Sequence, residues 1–267
     1  MMSPDVAAAE AALLDRAEID ATQMRQTTGE YHDLTIDDAY VIQAAWQEIK
    51  LARGEVLVGH KIGLTSRAMQ ASMNITTPDS GFLTDRMVFE PDTRLVAADF
   101  CDPKLEIELA FVLNTDLAGD DLSADDILDA TEYVVPAIEL IAARSFRRDP
   151  DSGRTRTVVD TIADNAANAG IIMGGTKVAP RDIDLRWVSA LGSRNGVIEE
   201  TGVAAGVLGH PAMGIAWLAR RYHEQGLTLE KGQIILAGSF TRPIDIRAGD
   251  DFHFDYGPLG TFSLGFN

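Results

Sequence analysis

The chain has 267 residues, 46% of them hydrophobic and 24% charged, a composition that supports a folded protein with a substantial core. With 23 Lys plus Arg against 41 Asp plus Glu, the formal charge is −18, which argues against a nucleic-acid partner and against electrostatic docking on an anionic membrane leaflet. A single cysteine, Cys101, leaves no internal disulfide framework and fits a cytoplasmic location. Acids occur early in the chain where a secretory leader would be basic, and no apolar run approaches the ~18 residues of a membrane span.

Residues 5–26 read as an amphipathic helix. Thr35 and Asp38 have the spacing of a capping box, and the helix that follows passes Tyr40, Trp46 and Ile49 and stops before Gly54. Beyond Gly54 short β-rich runs begin: Val56 to Ile62, Leu105 to Leu113, Trp187 to Ala190. A helix starts at Ser123, with Asp126 at its third position. Asn195-Gly196 is a hairpin turn signal. Another helix runs from Pro211 to about Gln225 and stops at Gly226. The C-terminal segments QIILAGS, PIDIRAGDDFHFDYG and TFSLGF read as successive strands. There is no internal repeat, GxGxxG, P-loop or GxSxG. The layout predicts an α+β, mostly antiparallel β domain at residues 56–267, with a helical N-terminal region at residues 1–55.

The most informative segment is Lys104-Leu105-Glu106-Ile107-Glu108-Leu109-Ala110-Phe111-Val112-Leu113. Along a strand, Leu105, Ile107, Leu109, Phe111 and Leu113 share one face, and Glu106 and Glu108 share the other with Ala110 and Val112. Both faces are therefore apolar beyond the acids, as in a strand covered on both sides. Two readings stand: solvated acids at a sheet edge, or a pair of carboxylates gathered round a cation. Glu139, inside the apolar run Val134 to Ile141, supports the second, because a lone buried acid is costly. Three carboxylates form a hard oxygen site suited to Mg²⁺ or Mn²⁺ and not to zinc.

Several segments resemble one family. They are GHKIGLTSRAMQ (59–70), PDSGFL (78–83), KLEIELAFVL (104–113), YVVPAIELI (133–141), DTIADNAANAG (160–170), EETGVAAGVLGHPA (199–212) and GQIILAGSFTRP (232–243). From about Tyr31 to Phe266 the chain is similar to the 2-oxo-alkenoate hydratases of aromatic meta-cleavage pathways, within the fumarylacetoacetate hydrolase superfamily. The resemblance is strongest to the members acting on a seven-carbon 2-oxo-enedioate. It implies a β roll with a helical N-terminal region and a homo-oligomer. It also implies a divalent metal held by Glu106, Glu108 and Glu139, and a small-molecule substrate chelated through its carboxylate and C2 oxygen.

Hydration of such a substrate requires protonation of a dienol and deprotonation of an attacking water. The resemblance gives these tasks to Lys61 and Asp79. His60 either assists proton transfer or packs in the core. Related decarboxylases carry Leu before the lysine and lack an acid at the position of Asp79, so His60-Lys61 and Asp79 favour hydration. Residues 144–156 hold five arginines in thirteen positions, a local reversal of the chain's charge. This segment is either a solvated loop or a cover from which one of its arginines (Arg144, Arg147, Arg148, Arg154 or Arg156, with Arg144 and Arg147 foremost) clamps a distal carboxylate. Thr161, Asn165 and Ser239 lie in the matching segments and either bind substrate or satisfy nearby backbone. A hydratase of 2-oxopent-4-enoate, a decarboxylase of the 4-oxalocrotonate type and a catalytically inactive assembly subunit are the competing readings.

Overall fold

In the computed structural model residues 2–72 and 75–267 are described, without the side chains of residues 68, 69 and 72. The helices are α1 (Pro4–Ile19), α2 (Thr27–Glu30), α3 (Ile36–Ala52), α4 (Arg67–Ser72), α5 (Ala124–Asp129), α6 (Val158–Ala163) and α7 (Ala212–Glu224). The strands are β1 (Leu57–Gly63), β2 (Asp79–Thr84), β3 (Val88–Phe89), β4 (Thr93–Leu95), β5 (Lys104–Leu113), β6 (Thr131–Ile141), β7 (Asn168–Met173), β8 (Ser189–Arg194), β9 (Val197–Val203), β10 (Ile234–Leu236), β11 (Ile244–Asp245), β12 (Asp251–Asp255) and β13 (Thr261–Phe266). One sheet runs β2-β1-β10-β5-β6-β7-β3 with β11 beside β5, and a second runs β4-β13-β12-β8-β9. Most pairs are antiparallel; β1–β10, β3–β7 and β4–β13 are parallel.

The two faces of β5 build two cores. Leu105, Ile107, Leu109, Phe111 and Leu113 pack toward the second sheet and α7, with Phe252, Phe254, Phe262 and Leu218. On the other face Ala110 joins Ala137, Val135, Leu236 and Phe82 beneath the N-terminal helices, which contribute Leu14, Ile42 and Trp46. The larger sheet is thus the middle layer. Glu106 and Glu108 continue the helix-covered face past the point where its apolar residues end.

The Thr35–Asp38 capping box is present, as is the one at Ser123 and Asp126. Asn195 (φ 53°) and Gly196 (φ 80°) form the β8–β9 turn, both left-handed as a type I′ hairpin requires. The first helix is shorter than the predicted 5–26: it ends at Ile19, and Ala21 turns left-handed at φ 46°. The chain then runs as a strap along the arginine-rich loop. The Met24 amide donates to the Arg144 carbonyl, and Gln26 Nε2 donates to the carbonyls of Phe146 and Arg154. These long-range bonds replace helical ones. Trp187 lies in a 3₁₀ turn and is exposed, so the strand predicted there begins at Ser189.

Candidate active site

Strand register assembles the acids. Glu106 stands directly opposite Glu139 across the β5–β6 ladder, and Glu108 lies two residues further along the same face. A carboxylate oxygen from each lies within 4.8 Å of the others. At that spacing two unit charges repel by about 3 kcal/mol at an effective dielectric near 20, so the ionised cluster cannot persist without positive charge. β5 is a central strand covered on both faces, which removes the solvated-edge reading.

The β1–β2 hairpin brings Lys61 and Asp79 to the same place. Asp79 opens β2 opposite Gly63, and Lys61 pairs with Gly81, so the two side chains are diagonal neighbours on one face. Lys61 Nζ is 3.6 Å from Glu139 Oε1 and 3.9 Å from Asp79 Oδ1. Strands β10 and β5 intervene between β1 and β6 in the sheet order. Three steps of ~4.8 Å in a flat sheet would separate these groups, so the contact requires the sheet to curl round them. Gly63 leaves the space: a Cβ there would sit 2.3 Å from Asp79 Oδ1 and 2.8 Å from Lys61 Nζ. Gly238, at φ 115°, turns the chain after β10 so that its amide donates to Glu108 Oε2 at 2.8 Å. Tyr256 Oη donates to the carbonyls of Glu108 and Ala137, at 2.9 and 2.7 Å, and ties β5 to β6 beside the acids.

Burial dominates the protonation of this cluster. It raises all three glutamates above the usual carboxylate range, with Lys61 pulling Glu106 and Glu139 back and the neighbouring acids pushing Glu108 further up. It raises Asp79 as well, against the opposing charges of Lys61 and Arg156. Burial pulls the Lys61 ammonium down, but Glu139, Asp79, Glu106 and Glu108 outweigh it and hold the proton on more firmly than usual. The lowered lysine pKa that an apolar, cation-lined pocket would produce is therefore not what these acids impose by themselves. Glu108 Oε1, both Glu139 oxygens and Asp79 Oδ1 are buried without a hydrogen bond. Such orphaned carboxyl oxygens fit a divalent cation, which would favour their ionised forms and take them as ligands.

Glu106 also lines a cavity of about 450 Å³ with Gly63, Thr65, Ser66, Ser239 and Arg242. A slightly larger cleft, about 500 Å³, lies over Glu18, Lys50 and Arg53. Several of its charged groups are paired, Lys50 with Glu18 and Arg53 with Glu55 and with Asp15 outside the cleft. The unpaired groups beside the smaller cavity make it the candidate for chemistry.

The remaining predicted residues divide. Ser239 shares the cavity, its hydroxyl donating to the Thr241 carbonyl at 3.0 Å. His60 does not join the site. Adjacent residues of a strand face opposite ways, so with Lys61 among the acids His60 packs edge-on against Tyr222 of α7. Tyr222 Oη lies 3.0 Å from its Nδ1, and burial holds the imidazole neutral, with a pKa of about 4. Arg144 is no clamp for a ligand: its guanidinium is fully buried, donating to Asp164 Oδ1, the Asp164 carbonyl and the Asn168 carbonyl. Arg147 turns outward and donates to Asp102. Thr161 caps back on the Thr157 carbonyl. Asn165 binds the amide and carbonyl of Phe82, which holds β2 against the left-handed turn at residues 165–167. Asp164 is absent from the predicted set, and Arg156 is there only as one of the loop's five arginines, although the Thr157–Asp160 capping box marks where the loop ends.

Comparison with known proteins bears on the family and the fold. The family model of the fumarylacetoacetate (FAA) hydrolase C-terminal domain matches residues 51–264. The chain is 53% identical over 253 residues to 2-oxo-hept-4-ene-1,7-dioate hydratase of Escherichia coli, covering 95% of each chain. It is 35% identical over 256 residues to 4-oxalocrotonate decarboxylase of Pseudomonas sp. (strain CF600), covering 95% of this chain and 94% of the other. A solved 4-oxalocrotonate decarboxylase from Pseudomonas putida G7, complexed with magnesium and adipate, superposes with a TM-score of 0.94 at 30% identity over 100% of this chain and 99% of that one. Fold, motifs and sequence identity together show that the chain belongs to the fumarylacetoacetate hydrolase family.

Proposed function

We propose that the protein is a divalent-metal-dependent hydratase that converts 2-hydroxyhepta-2,4-dienedioate, through its 2-oxo-enedioate tautomer, to 4-hydroxy-2-oxoheptanedioate. The observation that carries this reading is the cluster of half-buried Glu106 with buried Glu108 and Glu139, which leaves oxygens unpaired among the described residues, set against the Lys61–Asp79 pair. The 53% identity to a hydratase with this substrate in its name supports hydration over decarboxylation. Mg²⁺, or Mn²⁺, suits three carboxylates, and one solved relative was complexed with magnesium.

Glu106, Glu108 and Glu139 hold the cation. When bound it offsets their charge and polarises the carboxylate and C2 oxygen of the substrate. Asp79, whose carboxyl burial raises against the charges of Lys61 and Arg156, passes to C5 the proton that turns the dienol into the conjugated enone. The carboxylate so formed lies beside the Lys61 ammonium and takes the proton of the water that attacks C4. The proton given up by the C2 hydroxyl returns to C3 of the enolate left by the attack, relayed at the Lys61 ammonium, which also steadies Asp79 in its charged form. Ser239, on the cavity wall, orients the substrate carboxylate. Lys61, Asp79, Glu108 and Glu139 are buried, which strengthens the interactions among them, while Glu106 opens on the cavity.

The reading includes a cytoplasmic homo-oligomer. Exposed Trp187, Val197 and Ile198, beside and on the edge strand β9, supply apolar surface for subunit contact. No helix among the described residues is long and apolar enough to cross a membrane.

The test is the product formed from 2-hydroxyhepta-2,4-dienedioate with Mg²⁺, followed by mass and by carbon dioxide release. Gain of one water with no carbon dioxide is expected. Release of carbon dioxide with loss of one carbon would overturn the assignment in favour of decarboxylation.

A further inference from the structure

The cavity beside Glu106 is lined by several hydroxyls, and they differ in whether the fold already uses them. Ser239 Oγ donates to the Thr241 carbonyl at 3.0 Å and accepts from the Thr241 amide at 3.3 Å. Thr201 is exposed and Ser66 only half-buried, so water can serve both. Thr65 is different. It lines the same cavity and is 2% exposed, yet its hydroxyl has no hydrogen-bond partner among the described residues. A buried hydroxyl without a partner is destabilising, and a valine would fill the same space without that cost.

The fold holds this residue firmly in place. Strand β1 ends at Gly63, and Leu64 turns left-handed at φ 55°, a conformation that non-glycine residues adopt rarely and at a cost. The Leu64 carbonyl accepts from Gln70 Nε2 at 2.7 Å, and the Thr65 carbonyl accepts from the Leu208 amide at 3.1 Å. The backbone is thus pinned on both sides of an unused side chain. That side chain rests against Gly238, where a Cβ would sit 2.2 Å from Thr65 Oγ1. Gly238 is also the residue whose amide donates to Glu108 Oε2 at 2.8 Å. Through the glycine's own bonds these two contacts put Thr65 Oγ1 no more than about 8 Å from Glu108 Oε2. Thr65 is therefore tied to the glutamate cluster by contact as well as by sharing a cavity with Glu106. Arg242, the cation on the cavity wall, is exposed and pairs with Glu200 at 2.8 Å.

We propose that the Thr65 hydroxyl donates a hydrogen bond to the C1 carboxylate of a 2-oxo acid bound at the glutamate cluster. The proposal rests on the reading of this cavity as the substrate site, and it names a donor for the anionic head of that substrate. A hydroxyl gives its strongest hydrogen bond to an anionic acceptor. Thr65 is the buried hydroxyl on this wall whose proton is free, whereas Ser239 must first release the Thr241 carbonyl. The role is one of binding and orientation: the bond fixes the carboxylate, and with it the adjoining C2 oxygen, and no bond is made or broken at Thr65.

The experiment titrates 2-oxopentanoate, which has the 2-oxo acid head and no double bond to hydrate, calorimetrically into the protein with Mg²⁺. Thr65→Val removes the hydroxyl and keeps the shape. Its affinity for 2-oxopentanoate is expected to fall about 10- to 30-fold, while Mg²⁺ alone binds within about threefold of native. Its melting temperature without ligand should stay level or rise, because an unpaired buried hydroxyl has gone. Thr65→Ser keeps the donor and should bind 2-oxopentanoate within about threefold of native. With 2-oxopentanoate labelled with ¹³C at C1 and held at saturation, the infrared carboxylate stretch should move in Thr65→Val. If Thr65→Val does not fold, Thr65→Ala, which also lacks the donor, carries the same expectations for ligand and Mg²⁺ binding. Unchanged affinity or an unmoved stretch overturns the proposal. So does a joint fall in melting temperature, Mg²⁺ binding and ligand binding, which would make Thr65 a structural brace. A native protein that binds no 2-oxopentanoate overturns the substrate reading together with this proposal. Release of carbon dioxide from the dienedioate overturns the hydratase reading alone, since a decarboxylase substrate presents the same head.

Discussion

The protein buries two charged clusters that differ in sign and in completeness. At the mouth of the β5–β6 ladder, four carboxylates surround one lysine and leave oxygens unpaired. Under the 144–156 loop, two arginines share one aspartate, and both its oxygens are engaged. Glu108, Glu139, Arg144 and Asp164 are buried, while Glu106 opens on a cavity. The contrast teaches that a buried charge left without partners names its ligand, a cation for the acids, while a paired one serves the fold. The chain's net charge of −18 reveals neither, because both balances are local.

Breaking the acid cluster has the largest expected effect. Glu108→Gln removes a ligand and places an amide against Gly238, and turnover should fall at least about 1,000-fold with loss of Mg²⁺ binding by calorimetry. Lys61→Met separates cation binding from proton transfer. It should lower kcat by ~10²–10⁴-fold while Mg²⁺ binds as well as before or more tightly, since one competing positive charge has gone. Loss of both together would assign Lys61 a structural role. Gly63→Ala pushes a methyl between Asp79 and Lys61; kcat should drop by about 100-fold with little change in Mg²⁺ affinity.

The direction of the carboxylate shifts predicts a pH effect on stability. Burial raises Glu106, Glu108, Glu139 and Asp79 in the folded chain, so the folded state binds more protons than the unfolded one above the ordinary carboxylate pKa. The stability these acids contribute is full below that pKa and is lost as pH rises through the raised folded values. In metal-free protein the melting temperature should fall from pH 5 to pH 8, and Mg²⁺ should restore it at pH 8 more than at pH 5. A metal-free melting temperature that rises over this interval contradicts the electrostatics described. The smallest effect is expected from His60→Gln, which should leave kcat within about threefold and cost roughly 1–2 kcal/mol in urea denaturation through the lost Tyr222 contact.

His60 also shows what the sequence could and could not convey. The alternation that puts Glu106 and Glu108 on one face of β5 applies equally to β1, and it already separates His60 from Lys61. Strand period, capping boxes and the Asn195-Gly196 turn are local signals, and they mark the elements they predict. The register of Glu106 against Glu139 is a long-range pairing that no local pattern encodes; the isolated acid in an apolar run only hinted at it. The arginines were legible as a charge reversal but not as individuals. Arg144 turns inward onto Asp164 and Asn168, Arg147 outward onto Asp102, and Arg156 inward onto Asp164, all through partners distant in sequence or supplied by a left-handed turn. The first helix ended early for the same reason, since Gln23 and Gln26 bond to the loop across more than a hundred residues of chain.

The measurement closest to the central claim is turnover of 2-hydroxyhepta-2,4-dienedioate by metal-stripped protein before and after Mg²⁺ is restored, with Glu139→Gln run in parallel. The account predicts no hydration without the cation, full return of 4-hydroxy-2-oxoheptanedioate with it, and no rescue of Glu139→Gln. Hydration by the stripped protein, or by Glu139→Gln at the native rate, would contradict it.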